Sequence, residues 1–482
     1  MKKISAISLA TTVTMLSGCG IFSPSYNKPN IDVPTNSRSG IQFESSTADY
    51  SQLQWWKQVN DPVLNQLIIL ALSNNAQIQV AQGNIMKAQA SLKAAQYAWI
   101  PTLSGMGGGF SGGSFDTTAS SANQSGATLG NNFNGAFGGF IPSYNFNVFA
   151  NLSQTKLAQA TLDMQKAAYN STRLTIISQI SGGYFTLLAQ KKQLIVQQQM
   201  IDDLKELRRY EMIQVQNGNA DLGNLAMYDQ QIANYEAKIP SIENSIAQTE
   251  NAIKVLINQN PGEIITTGSI DKLNIESIIP ANIPSSVLKN RPDIIQAEDS
   301  LKVANANVAV ANSQFFPTIG LTGFAGGSSI ALGTLLNVST GFWTVAALAS
   351  MPIINASTYE QVNATEGGYY AQYYSYMNTV KSAFQNVDNN LTNKQNMDKV
   401  YAKTYQAYKS ASEYYRINQI QYKAGNAAMT NVVEAKIGLD NANLSLIQAK
   451  AQQLTAIVQV FDALAIGYAA ESELSKPKKL PN

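Results

Sequence analysis

The sequence predicts an α+β membrane protein made of two tandem copies of one unit, each a pair of membrane-length β-strands among helices too long for a compact domain. Three observations carry this reading. Stretches of the first half recur in order in the second, short period-two segments fall at matching places in the two copies, and long proline-free helical spans follow them.

Self-similarity at a fixed spacing marks a chain built from repeated units. SLKAAQYAWIPTLSG at 91–105 aligns with NVAVANSQFFPTIGLTG at 307–323, Pro101 falling on Pro317 and Thr102 on Thr318. AAYNSTRL at 167–174 aligns with YSYMNTVK at 374–381, matching Tyr169 to Tyr376 and Thr172 to Thr379. QNGNADLGNL at 216–225 then aligns with KAGNAAMTNV at 423–432. The offset falls once, from 216 to 207 residues, and afterwards holds, which marks one duplication with a longer loop in the first copy.

In chain order, residues 1–18 open with Lys2 and Lys3, continue through a short apolar core and end in small residues. That is a secretory signal, too short to span a membrane. Leu16, Ser17, Gly18 and Cys19 resemble a bacterial lipoprotein box, which implies cleavage before Cys19 and lipidation of it; Gly20, where retained lipoproteins carry Asp, implies the outer membrane. Residues 19–60 form the lipid-anchored N-terminal segment, with Trp55, Trp56 and Pro62 expected to hold it against the helices. The first repeat covers 61–260, a connecting belt 261–290, the second repeat 291–468 and a tail 469–482.

Each repeat reads as helix, strand, strand, long helix, turn, helix. The expected strands are 101–111 with 132–148, and 317–328 with 341–353. They alternate, as in Phe133, Gly135, Phe137, Gly139 and Ile141, and a tilted membrane strand needs about 9–11 residues. The polar loop at 115–132 joins the first pair, and no apolar run of about 18 residues follows the signal. The spans 151–216 and 355–423 contain no Pro, and at about 1.5 Å per residue each reaches roughly 100 Å. Leu444, Ile447, Ala451, Leu454, Val458 and Phe461 step by threes and fours, the seam of packed helices, as do Leu174, Ile177, Ser181, Tyr184 and Leu188. Arg291-Pro292-Asp293 reads as a helix start, with Pro early and Asp near the positive end of the dipole. The tyrosines of YYAQYYSY at 369–376 are expected to pack between helices.

Four strands cannot close a barrel, and a bare sheet edge in lipid leaves backbone groups unpaired at several kcal/mol each. The chain is therefore expected to oligomerise, with both strand pairs at one end and both Gly-Asn-Ala turns at the other.

Composition narrows the chemistry. Charged residues are 13% of the 482, against about 25% in ordinary soluble chains. With a net charge of +2 and no dense basic run, nucleic acid is not a partner expected of it. His is absent, which removes His triads and the commonest metal ligand, and the single Cys leaves no Cys cluster. No catalytic constellation, metal site or cofactor site is visible.

Taken together, WWKQVNDPVLNQLI at 55–68, NRPDIIQAEDSLKVANANVAVANSQFFPTIGLTG at 290–323, QYKAGNAAMTNVVEA at 421–435 and VFDALAIG at 460–467 resemble the TolC/OprM outer-membrane factors, in their lipoprotein (NodT-type) branch. The resemblance spans about residues 26–467. It implies a homotrimer with a shared twelve-stranded outer-membrane barrel, four strands per chain, continuing into a long periplasmic coiled-coil barrel. It implies an exit duct, not an enzyme, joined through a periplasmic adaptor (membrane fusion protein) to an inner-membrane pump of the resistance-nodulation-division type. On the family's pattern the adaptor-contact tips are Gly218, Asn219, Ala220 and Asp221, with Gly425, Asn426, Ala427 and Ala428. Some members ring the periplasmic aperture with two Asp residues, six and nine positions past the tip glycine; here those positions are Asn431 and Glu434. Glu434 keeps a carboxylate and is expected to favour cations, whereas Asn431 puts a double acidic ring in doubt.

Two other readings stay open at this stage: an outer-membrane channel for type I protein secretion, and a non-channel periplasmic adaptor or scaffold lipoprotein. Lipidation and NRPD resemble the multidrug branch, and an adaptor would carry one hairpin between lipoyl-like halves rather than two full copies.

Overall fold

The computed structural model describes residues 26–29, 43–44, 50–112, 133–273, 283–284, 290–329 and 341–469. The signal, Cys19, the loop at 115–132 and positions 470–482 lie outside the described residues. The strands are β1 (Phe43–Glu44), β2 (Thr102–Gly112), β3 (Phe133–Phe146), β4 (Ile283–Pro284), β5 (Thr318–Ser329) and β6 (Gly341–Ser350). The helices are α1 (Pro62–Asn74), α2 (Ala76–Tyr97), α3 (Val148–Gln216), α4 (Leu222–Glu236), α5 (Ile239–Leu256), α6 (Pro292–Ser313), α7 (Ala356–Lys423) and α8 (Met429–Ala463). Among the described residues, no helix is long and apolar enough to cross a membrane.

The duplication is visible in these bounds. α2 and α6 are 22 residues each and start 216 positions apart, as do β2 and β5. Past the strands the spacing becomes 207: Gly218 and Gly425 both take positive φ, at 73° and 77°, and so do Asn258 and Ala465, at 56° and 50°.

The chain divides into two compact units. The first, built on Lys87–Leu162 and Asp299–Tyr373 with the chain start, contains an antiparallel sheet in the order β2-β3-β5-β6. Thr102 pairs with Ser143, Phe140 with Ala325 and Thr318 with Ser350. Paired residues share a face and successive residues alternate, so this register sorts the side chains. One face receives Leu103, Phe140, Tyr144, Leu321, Trp343 and Val345; the other receives the hydroxyl and amide side chains Thr102, Ser143, Asn145, Thr318, Thr322 and Thr344, interspersed with Met106, Ile141, Phe324, Phe342 and Leu348. None of the four strands contains a charged residue. Apolar on one face and hydroxyl-bearing on the other is the alternation of a strand between lipid and water.

Two expected strand ends are corrected. β3 stops at Phe146, not 148, because Asn147 turns the chain into a helix: its Oδ1 accepts from the Ala150 N–H, while its Nδ2 donates to the carbonyls of Ser313 and Phe316, 3.1 Å each. α3 therefore starts at Val148, three residues before the expected 151. β6 stops at Ser350, not 353, since Pro352 has no N–H for a ladder, and Asn355 then accepts from the Thr358 N–H as α7 begins.

The second unit comprises Pro29–Met86, Asp163–Glu298 and Tyr374–Asn482. Its core gathers α1, α3, α8 and the turn at 55–59. Trp55 and Trp56 do anchor the N-terminal segment: Trp55 stacks on Phe461 with ring centroids 4.5 Å apart, and fully burying such a side chain is worth about 2–3 kcal/mol. Ile447, Leu454, Val458 and Phe461 of the expected seam are buried, with Leu444 and Ala451 packed at the cluster's edge. The Tyr184 hydroxyl donates to Asp61 Oδ2 at 2.8 Å inside this core, while Asp61 Oδ1 caps α1 through the Val63 and Leu64 N–H groups. Of the run at 369–376, Tyr376 is buried, whereas Tyr370 and Tyr374 are exposed in the single chain.

Another departure lies in the first return segment, which reads as one helix in sequence but splits into α4 and α5. Pro240, at the start of α5, has no N–H to offer the carbonyl four residues back, so the ladder is broken at Ala237 and Lys238. The matching α8 contains no Pro and runs unbroken for 35 residues.

Candidate functional site

Both tip turns are Schellman closures of a long helix. At the end of α3 the Gly218 N–H donates to the Val215 carbonyl at 3.0 Å and the Asn219 N–H to the Gln214 carbonyl at 2.8 Å; at the end of α7 Gly425 donates to Tyr422 at 2.9 Å and Asn426 to Gln421 at 2.8 Å. A Cβ at either glycine would meet nothing within 4 Å, so the left-handed backbone alone demands glycine.

The two tips then diverge. Asp221 caps α4 by accepting from the Gly223 N–H at 3.0 Å, a use of the side chain the sequence reading did not assign. Ala428 occupies the same place before α8 with no side-chain cap. Gly218, Asn219, Asp221, Gly425, Asn426 and Ala428 are exposed, and Ala220 and Ala427 half-buried.

Asn431 and Glu434, the expected aperture residues, both lie exposed on α8, one helical turn apart, continuing into Gly438, Asn441 and Ser445. The opposite side of α8 is packed: Val433 meets Leu207 of α3 and Tyr228 of α4, all buried. Burial raises the Tyr228 phenol above its ordinary value, and the nearby carboxylates Glu211 and Glu434 raise it further.

Around this seam the structure brings together polar residues that the sequence reading missed. Lys436 donates to Asp440 at 2.6 Å and to Asp203 of α3 at 3.0 Å. Burial pushes the Asp440 carboxyl up, against the pull of Lys436. Buried Glu211 accepts from Asn224 Nδ2 at 2.7 Å, joining α3 to α4, and Arg208 pairs with Asp229 on the same two helices. Only Lys436 and Asp440 announced themselves, by their spacing of four on one helix. The second lead, Cys19, lies outside the described residues.

Elsewhere in the second unit, the Arg291 start of α6 does more than open a helix. Its guanidinium pairs with Asp293 at 2.7 Å and donates to the Ala463 carbonyl, satisfying an orphan acceptor at the end of α8. The half-buried Asp462 carboxyl beside it is pushed up to about 6, with desolvation the largest cause; Arg291 opposes that rise and Asp293 adds to it.

The "Probable efflux pump outer membrane protein TtgC" of Pseudomonas putida strain KT2440 is 26% identical over 470 residues, covering 96% of each chain. The "Probable outer membrane lipoprotein SilC" of Salmonella typhimurium is 24% identical, over 97% of this chain and all of that one. Among solved structures, the open state of the Neisseria gonorrhoeae MtrE outer membrane channel superposes with a TM-score of 0.80 at 24% identity, over 93% of this chain and 99% of that one. The fold class read from sequence, duplicated units of paired strands and long helices, is the fold of these channels. Residues 67–259 and 283–465 match the family described as outer membrane efflux protein, one stretch for each repeat. The chain belongs to the outer membrane efflux protein family.

Proposed function

We propose that three copies of this chain close one barrel of twelve strands and form the outer-membrane exit duct of a tripartite efflux system, a passive conduit rather than an enzyme. The observation that carries the reading is the sheet: β2 and β6 are open edges running in opposite directions, so β6 of one copy can pair antiparallel with β2 of the next until the ring closes. Closing it removes every bare edge from lipid.

On this reading the tips at Gly218–Asp221 and Gly425–Ala428 receive a periplasmic adaptor that joins the duct to an inner-membrane pump. Exposed small residues support close approach of a partner helix, and TtgC is named as part of an efflux pump. Cys19 bears the lipid anchor, in keeping with the lipoprotein name of SilC. Glu434, exposed in line with Asn431, contributes a carboxylate to the aperture of each copy.

The test is oligomer mass together with current across a planar lipid bilayer, on the same purified full-length sample. A trimer giving discrete conductance steps is expected. A monomer without conductance would overturn the shared barrel and return the chain to a periplasmic scaffold.

A further inference from the structure

The hydroxyl-bearing face of the sheet changes character along its length. Toward the helix-joined strand ends it presents Thr102, Ser143, Asn145, Thr318 and Thr322, with Leu348 the one large apolar side chain among them. Toward the opposite ends it presents rings. Met106, Gly139, Gly326 and Phe342 form one row across all four strands; Phe324, paired with Thr344, lies on the helix side of that row, and Phe137, paired with Gly108, lies beyond it.

The rings lie down on glycine. A Cβ at Gly108 would stand 2.9 Å from the Phe137 ring, and one at Gly139 or Gly326 would stand 2.7 or 2.8 Å from the Phe324 ring. Phe342 meets Phe324 with ring centroids 5.0 Å apart and planes tilted by 33°. Laid flat, the rings cover backbone while leaving aromatic surface open: Phe342 is 53% exposed, and Phe137 and Phe324 are half-buried. No charged side chain on any of the four strands competes for a solute there.

Resting on the reading of this sheet as one third of a shared barrel with its hydroxyl face inward, we propose that Phe137, Phe324 and Phe342 form an aromatic collar near the exit of the duct that transiently holds aromatic solutes, aromatic cations among them. Three copies set the same rings around one lumen. Ring stacking adds about 0.5–1.5 kcal/mol per aromatic pair, and a delocalised cation gains from the ring faces as well. Contacts of that size delay a solute without trapping it, which is what conduction requires. Anions gain nothing from the negative ring faces, so the collar favours aromatic and cationic solutes over anionic ones.

The chain has a single cysteine, so a second one placed in the sheet reports alone against the parent background. Full-length protein in lipid vesicles, carrying Thr344→Cys on the collar face or Val345→Cys on the apolar face, is reacted with a charged, membrane-impermeant maleimide, with and without tetraphenylphosphonium. Thr344→Cys is expected to label and Val345→Cys to resist. Tetraphenylphosphonium is expected to slow Thr344→Cys labelling, and adding Phe342→Leu, at the most exposed ring, should weaken that protection about 2- to 10-fold. Phe342→Tyr keeps the ring and should keep the protection, which separates loss of the ring from loss of assembly. Protection that is absent, or unchanged by Phe342→Leu, overturns the collar and leaves the duct standing. Labelling of Val345→Cys in place of Thr344→Cys overturns the inward face, and the duct reading with it.

Discussion

Asp462 offers the sharpest quantitative test of how the start and the end of the second repeat are joined. Its carboxyl, in the last turn of α8, is pushed from the ordinary 3.8 to about 6, with burial the largest cause, Arg291 opposing and Asp293 reinforcing. At about 1.4 kcal/mol per pH unit, that difference amounts to roughly 3 kcal/mol favouring the protonated fold. The sign follows from linkage: between 3.8 and about 6 the folded chain binds the proton more tightly than the unfolded chain. This group's favourable contribution is therefore complete below 3.8, is lost as pH rises toward 6, and stays lost above. Asp462→Asn removes the half-buried charge without orphaning Arg291, which keeps Asp293 and the Ala463 carbonyl. The variant should match wild type in acid and become more stable as pH rises, by up to about 3 kcal/mol near neutrality, a few degrees in thermal midpoint. Thermal unfolding followed by circular dichroism, at fixed protein concentration across this pH range, measures it. A variant less stable than wild type at neutral pH, or a difference that does not change with pH, would refute the claim that burial outweighs the Arg291 charge.

Three further expectations concern the tips, the sheet and the aperture. Gly425→Ala should cost about 1–2 kcal/mol through its φ of 77° alone, since the added methyl meets nothing, and Gly425→Asn should cost less; the thermal midpoints of the two variants check this. Gly326→Ala places a Cβ 2.3 Å from the Gly138 carbonyl oxygen and 2.6 Å from Gly139 Cα, so backbone must move; loss of heat-resistant oligomer on a gel is expected, and an intact oligomer would contradict the sheet packing. Glu434→Ala should reduce cation over anion preference, read as a smaller reversal potential in a salt gradient, whereas an unchanged potential would mean that this carboxylate does not face the ion path.

The fold was legible wherever periodicity or duplication carried it. The first strand of each pair is placed within one residue by its alternation and the Pro-Thr start, and the seam of α8 by its steps of three and four. Where strands give way to helix, the outcome depends on single residues: Asn147, whose side chain holds both the start of α3 and the end of α6, and Pro352, which cannot donate to a ladder. Periodicity cannot register such residues. Pro240 signals the break in the return segment, whereas the likeness to the second copy, which has no Pro there, predicts a single helix. Polar links across helices were out of reach for another reason. Lys436 and Asp203 are 233 positions apart, and nothing in either neighbourhood names the other. The same holds for rings resting on glycine, where the partner is set by strand register alone.

The duplication also explains why equal turns need not make equal sites. Gly218 and Gly425 keep the same φ and the same hydrogen bonds, because backbone geometry at a helix end tolerates little else. Side chains nearby are free to drift. The position of Glu434, 207 residues earlier, is Met227; the counterpart of Glu211 is Asn418, which donates to the Tyr414 carbonyl instead of receiving Asn224. An assembly of three chains would thus present six tips of one shape but two chemistries in alternation. Any carboxylate ring at Glu434 would have three members rather than six. A partner that read shape alone would bind all six tips alike, whereas one that read charge would distinguish them. Neutralising Arg208 and Asp229 together would then alter only the tips formed by α3 and α4.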